Sequence, residues 1–316
     1  MPIRRTHEHP MGTAEGVERV TEDRAWRRRF VYLTEVDISV DNGPGINERE
    51  FVAGLLRRHA DEVVCVLPEP QNPTVFYDSR IRYVSAHGGN ATTYLKYLRD
   101  SRRLVSNLSV EGSLDGLVFR PGGTPLLPFL LSRSTGAPIM FKKLGLHAIF
   151  GHEVTRSPLK NAVSRSMLPM YRSVIQGAVA ADVESFTYVD WLHERFGIER
   201  SRMRVIPNGV NTRVFTPEAG GDARRAKGLG DFETIIGYVG ALSRIRKVGD
   251  LLRAFAGLEE SERIALVLVG GGPDEESLRS EASQLGLGSR VRFVGSVPYS
   301  QVPEWMRCFD VAVDPT

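Results

Sequence analysis

Short apolar, β-branched runs alternate along this chain with stretches of helical spacing, and that rhythm leaves few folds open. A strand followed by a helix cannot return through a tight hairpin, so repeated strand and helix units imply parallel sheets covered by helices. Phe30–Thr34 is the first run, followed by Glu62–Leu67, Arg80–Ser85, Gly116–Phe119 and Pro138–Phe141. Helical segments fall between most of them, so roughly the first 200 residues read as one doubly wound sheet. Asp41–Ile46 is a glycine-rich turn after the first run, and Asn47 with Glu50 forms a capping box that predicts a helix from there to about His59.

The rhythm breaks at Pro217–Gly230, a polar, glycine-rich passage that reads as an interdomain segment. It restarts with strands over Thr234–Val239, Ile264–Val269, Arg290–Val294 and Asp310–Val313, and with helices over Lys247–Leu258, Asp274–Leu285 and Gln301–Cys308. An α/β protein with two Rossmann-like units facing each other across a cleft is therefore expected. The first covers residues 29–213 and the second 214–316, after a flexible arginine-rich tail over 1–28. The second unit stops on a strand with no closing helix, so it is expected to be incomplete.

Charge narrows the partners. With 41 basic against 38 acidic residues the chain lacks the basic excess of a nucleic-acid binder. Cys65 and Cys308 lie far apart, so neither a disulfide framework nor a zinc site can be built from them, and a reducing cytoplasm is the simplest compartment. No uncharged apolar run approaches the ~18 to 20 residues of a spanning helix. The first 29 residues mix Arg4, Arg5, Arg19, Arg24, Arg27, Arg28 and Arg29 with acids and lack a signal-peptide core. They read as a solvated tail, with peripheral contact at the inner membrane face as the alternative.

Three glycine-rich turns could hold an anion, because a turn that feeds a helix exposes backbone N–H groups and the positive end of the helix dipole. Gly43-Pro44-Gly45 is one. Gly270-Gly271-Gly272-Pro273 is another, with Pro273 suited to the first helical position, but the acids Asp274 to Glu276 would repel a phosphate there and favour a simple tight connection. Neither fits G-x-G-x-x-G, so a nicotinamide dinucleotide is unsupported. The third, Gly240 to Leu252, places Arg244, Arg246 and Lys247 at the mouth of a strand-to-helix loop, where a diphosphate would suit them and a solvated charge run is the plainer reading.

Taken together, residues 204–316 resemble the family 4 glycosyltransferases of the GT-B fold. Arg204 to Pro217 is similar to the connector "vIPNGVDxxxFxP", with Asn211 in place of Asp. Gly240 to Phe255 resembles "GxLxxxKGxDLLxxAF", Leu266 to Pro273 "LxIVGxGP", Val291 to Pro298 "VxFxGxVP" and Asp310 to Pro315 "DvfvlPS". Departures accompany the likeness. Val118-Phe119-Arg120 stands where many members carry His-x-His, and Leu144-Gly145 where His-Gly is common, with Lys142, Lys143 and His147 close by. An extra residue is read between Gly240 and Lys247. The Glu-x7-Glu segment that the resemblance implies after the strand matched by Asp310–Val313 is not reached before the sequence ends at Thr316.

The resemblance implies a retaining transferase that moves a sugar from a nucleotide-sugar donor to a carbohydrate or lipid-linked acceptor in polysaccharide or glycoconjugate synthesis. It implies no cofactor and no obligatory metal, since an Asp-x-Asp motif is lacking. Arg246, Lys247 and Arg120 are the expected catalytic groups. Gly43, Gly45, Arg244, Arg246, Lys247, Gly295 and Val297 are expected to bind the donor, Lys143 to line the acceptor side or the phosphate, and His147 to substitute for the family histidine. The alternative is a truncated, inactive homologue that binds nucleotide or a partner.

Overall fold

The computed structural model describes residues 28–57, 62–72, 78–85, 91–122, 125–144, 158–216, 221–258 and 263–315. The tail over 1–27 and His147 lie outside them. The first sheet contains β1 (Arg29–Leu33), β2 (Glu62–Pro68), β3 (Ile81–Val84), β4 (Gly116–Phe119), β5 (Ile139–Phe141), β6 (Ala180–Val183) and β7 (Met203–Val205) in the order β3-β2-β1-β4-β5-β6-β7. Each of its described pairings is parallel, with Val31 opposite Val64 on one side and Leu117 on the other. Strands covered on both faces need apolar side chains on both, which is why Val31 to Leu33 and Val63 to Leu67 are continuously buried. Cys65 lies in this core.

The helices of this part are α1 (Gly43–Leu56), α2 (Ala91–Glu111), α3 (Leu126–Thr135), α4 (Pro158–Gly177) and α5 (Phe186–Phe196). Helix α1 starts five residues earlier than its capping box predicts. Asn42 is the cap: its Oδ1 accepts the Gly45 N–H at 2.8 Å, and its carbonyl accepts the Ile46 N–H at 2.9 Å. Pro44 fits the first turn because its missing N–H would have no intrahelical partner. Asn47 and Glu50 are thereby freed from capping, and their side chains meet Asn208 at 3.0 Å and Asn211 at 3.3 Å.

The second sheet has the order β10-β9-β8-β11, from β8 (Thr234–Val239), β9 (Ile264–Val269), β10 (Val291–Gly295) and β11 (Val311–Ala312), again with parallel pairings. Alternation along β8 and β9 sorts its core into two layers. Tyr238, Leu266 and Leu268 pack with Leu251, Leu252 and Phe255 of α7 (Val248–Ala256) and Leu278 of α8 (Glu275–Gln284). Ile235, Val267 and Val269 pack on the other face with Leu229 and Cys308. A short α9 (Val302–Met306) precedes β11.

Residues 221–230 are not a linker. They form α6 (Gly221–Ala226) and a turn that buries Leu229 completely. Polar groups suit this stretch because Arg224 reaches the Cys308 carbonyl at 2.9 Å and the Asp310 carboxylate at 2.6 Å. The chain as a whole divides into two compact units, one of Met1–Glu35, Val52–Pro68 and Tyr77–Ala181, the other of Val36–Phe51, Glu69–Phe76 and Asp182–Thr316.

Asp310 fastens the short β11. Its Oδ2 accepts the Ile235 N–H at 2.7 Å, and its own N–H donates to the Ile235 carbonyl at 2.8 Å. Burial would raise its pKa, but the Arg224 guanidinium and the Ile235 amide outweigh burial and hold it below the ordinary value. A carboxyl with a lowered folded pKa stabilises above its unfolded pKa and loses that contribution as pH falls through the folded one. Asp310→Asn is therefore expected to cost about 1 kcal/mol at neutral pH, a value reduced for partial exposure. Urea titrations of both proteins should show that gap closing below a pH of about 4.

Candidate functional site

Ligands of open parallel sheets sit outside the carboxyl ends of the strands, where the strand order reverses. In the second sheet that point lies between β8 and β11. The loop leaving β8 there is laced backbone to backbone onto the loop leaving β9. Gly240 N–H donates to the Val269 carbonyl at 3.0 Å, Leu242 N–H to Gly271 at 2.9 Å, and Asp274 N–H back to Leu242 at 3.1 Å. The approach is too close for side chains: a Cβ at Gly270 would lie 2.0 Å from the Gly240 oxygen, and one at Gly272 2.3 Å from that of Leu242. The Gly270–Gly272 turn is thus a tight connection. Asp274 is the N-cap of α8, so Pro273 precedes the cap and does not take the first helical position.

This lacing carries the cations. Arg244–Arg246 form a 3-10 turn whose last N–H donates to the Ser243 carbonyl at 2.9 Å, and Lys247 caps α7. Arg244, Arg246 and Lys247 are all exposed. Below them Tyr238 donates its hydroxyl to the Ala241 carbonyl at 2.9 Å. Burial pushes the Tyr238 pKa up; the Arg246 charge opposes the rise and Asp314 adds to it, so both charges act at this sheet edge.

Lys247 has φ of +48°, the left-handed region that glycine occupies without cost. This bears on the register of the loop. Counted from Gly240, the Lys-Gly pair of "GxLxxxKG" falls on Arg246 and Lys247 and the terminal Ala-Phe on Ala254 and Phe255, whereas the Asp-Leu-Leu of the pattern fits Asp250 to Leu252 only with the extra residue. The positive φ suits Lys247 to a glycine position, which favours the first register.

Gly295 at the end of β10 also has positive φ, +83°, and its carbonyl accepts the Gly270 N–H at 2.9 Å. The side chain of Val297 packs on the Leu229 and Cys308 cluster. Gly43 is open around its Cα, whereas a Cβ on Gly45 would lie 2.2 Å from the Val40 oxygen, and its N–H is committed to Asn42.

In the first sheet the order reverses between β1 and β4. Arg120, just past β4, donates its N–H to the Leu33 carbonyl at 3.0 Å and shares a small pocket with Thr34, Glu35, Tyr97 and Gly122. The Glu35 carboxylate lies so close over Gly122 that a Cβ there would fall 2.1 Å from it. Burial pushes the Tyr97 and Tyr171 phenols up, and the Glu35 charge adds to both. Glu35, Tyr97 and Tyr171 belong to no sequence motif; the place of Glu35 directly after the first strand is the signal the sequence offers. Lys142 is buried, and Lys143 has φ of +54°. Arg120 and Lys143 belong to the first unit, and the expected donor residues to the second. Among the described residues no three His, Cys, Asp or Glu side chains gather as a metal site.

Residues 221–316 match the family model described as glycosyl transferases group 1. This part of the chain is similar to the glycosyl transferases of group 1. The GDP-mannose-dependent alpha-(1-6)-phosphatidylinositol monomannoside mannosyltransferase of Mycolicibacterium smegmatis is 32% identical over 165 residues, 48% of this chain and 41% of that protein. The D-inositol 3-phosphate glycosyltransferase of Acidothermus cellulolyticus is 28% identical over 156 residues, 45% of this chain and 34% of that one. The chain thus matches well under half the length of these relatives.

Among solved structures, sucrose-phosphate synthase from Thermosynechococcus elongatus superposes with a TM-score of 0.69 at 18% identity, over 92% of this chain and 76% of that one. Anabaena HepE in complex with UDP and glucose gives 0.67 at 14% identity, over 90% and 73%. The chain therefore has the GT-B fold.

A β-carbon in the left-handed region costs about 1 kcal/mol. Lys247→Gly is expected to raise the urea midpoint slightly, while Gly272→Ala, which drives a methyl into the Leu242 backbone, is expected to lower it by the equivalent of about 2 kcal/mol or more. Equilibrium unfolding followed by circular dichroism measures both.

Proposed function

We propose that this protein transfers a sugar, with retention of configuration, from a nucleotide-sugar donor to a carbohydrate or lipid-linked acceptor in polysaccharide or glycoconjugate synthesis. The observation that carries the proposal is Arg246, held in the group 1 domain on a laced turn at the switch point of the second sheet, directly ahead of the start of α7. A nucleoside diphosphate is the ligand this arrangement suits: a guanidinium offers paired donors to phosphate oxygens, and a helix start favours negative charge.

Chemistry at such a site is electrostatic. As the bond from the anomeric carbon to phosphate breaks, charge grows on the diphosphate, and a cation already in place stabilises that charge more than it stabilises the bound donor. Lys247 and Arg244 add to the local potential, while the backbones of Gly295 and Val297 are assigned to the nucleotide base. Arg120 and Lys143 are assigned to the acceptor or the phosphate. The reading requires no metal. Relatives and structural neighbours carry both GDP-mannose and UDP in their descriptions, so the base is a matter for experiment.

A charge-assisted hydrogen bond contributes on the order of 1.5 to 3 kcal/mol. Arg246→Gln should therefore weaken binding of UDP or GDP, whichever the wild type takes, by roughly tenfold to a hundredfold in calorimetric titrations. Lys247→Gln should have the smaller effect. Equal affinity of wild type and Arg246→Gln would return the cluster to solvated surface, and binding without sugar transfer to any acceptor would make the chain a nucleotide-binding protein.

A further inference from the structure

The polar pocket where the first sheet reverses its order holds a carboxylate that the proposed transfer leaves without a task. Glu35 follows β1 directly and Arg120 to Gly122 follow β4, so both segments leave the sheet where a ligand is expected. Buried Thr34 and Tyr97 close the floor of the pocket, and half-buried Glu35, Arg120 and Gly122 form its rim. The Arg120 N–H is committed to the Leu33 carbonyl at 3.0 Å, and the Tyr97 hydroxyl donates to the Thr34 carbonyl at 3.2 Å. A ligand here would therefore meet side chains, chiefly those of Glu35 and Arg120. The Glu35 carboxylate lies against Gly122, in the place a β-carbon would take: that atom would fall 2.1 Å from it. Its charge adds to the upward push of burial on the Tyr97 and Tyr171 phenols, so it belongs to the field of this pocket.

An ionised carboxylate only accepts hydrogen bonds, through two oxygens side by side, and a guanidinium only donates them. A hydroxyl does both, so a group with adjacent hydroxyls satisfies Glu35 and Arg120 together. A phosphate only accepts: it would pair with Arg120 and stand against Glu35, and like charges brought together at a half-buried site repel strongly. We infer that Glu35 selects the acceptor, its carboxylate accepting hydrogen bonds from adjacent hydroxyls of an uncharged sugar or polyol beside Arg120 and excluding a phosphate from that place. Gly122 is the positioning residue, because a residue without a β-carbon lets the carboxylate lie there. The inference rests on the proposed sugar transfer, to which it adds the class of group that the acceptor presents to the first unit.

The test reads sugar binding and nucleotide binding separately on the full chain. Saturation-transfer NMR with methyl α-glucoside and methyl α-mannoside, and with the 6-phosphates of glucose and mannose, should show the wild type taking a glycoside and rejecting the phosphate esters. Glu35→Gln keeps the shape and removes the charge, so it should weaken glycoside binding roughly tenfold and strengthen phosphate-ester binding by a similar factor. A merely structural glutamate would lower both or neither and would not exchange one preference for the other. Gly122→Ala keeps the charge and displaces it, and should weaken glycoside binding in the same way. Matching thermal unfolding curves establish intact folds, and where Gly122→Ala fails to fold, Glu35→Gln decides alone. A wild type that binds no glycoside or binds the phosphate esters equally well, or a Glu35→Gln variant with the wild-type preference, would each overturn the inference. Absence of UDP and GDP binding in calorimetry, with the sugar preference intact, would instead strike the transfer proposal and leave Glu35 selecting a sugar bound for another purpose.

Discussion

The close backbone contact between the turns that leave β8 and β9 is the constraint on which the rest of the second unit depends. Three N–H to carbonyl bonds, from Gly240 to Val269, from Leu242 to Gly271 and from Asp274 to Leu242, hold the turns together, and Gly270 and Gly272 present no β-carbon to keep them apart. The lacing fixes where the 3-10 turn begins, hence where Arg246 projects and where α7 starts. A site assembled on two turns pinned in this way has little reorganisation left to do when charge develops, which is the physical content of preorganisation. The cost is carried locally, in a lysine held at positive φ.

Much of this was legible before any coordinates. Continuous apolar runs in β1, β2, β8 and β9 announce strands covered on both faces, and β2 and β9 are buried along nearly their whole length. β6 and β7 were not legible, because Ala-Ala-Asp-Val and Met-Arg-Val are too short and mixed to show a period, and they exist through their place in a sheet already nucleated elsewhere. The passage over 221–230 misled for a related reason: glycine and arginine signal a linker locally, but Arg224 serves Asp310, 86 residues away. The start of α1 was misplaced because two capping signatures lie five residues apart, and local sequence does not say which wins. Asn42 wins where Asn47 and Glu50 find partners at Asn208 and Asn211.

Among site residues the sequence supplied the cations but not their ranking. The positive φ at Lys247, which suits a glycine, is a local feature that composition does not show. Glu35 was invisible for another reason. A lone glutamate after a strand has no pattern, and its neighbours Gly122, Tyr97 and Tyr171 come from three distant segments.

The two cysteines, set aside at the outset as unable to pair, turn out to divide evenly. Cys65 lies in the core of the first unit and Cys308 in that of the second, and each is fully buried. Burial also pushes the Cys308 thiol up, although Lys227 and Arg224 pull against it, so the reactive thiolate is scarce while the fold is closed. A thiol reagent can act only when the surrounding packing opens. The protein thus carries an internal clock in each half: the rate at which each sulfur is trapped counts the openings of its own unit, and the ratio of the two rates ranks their local stabilities without any added label.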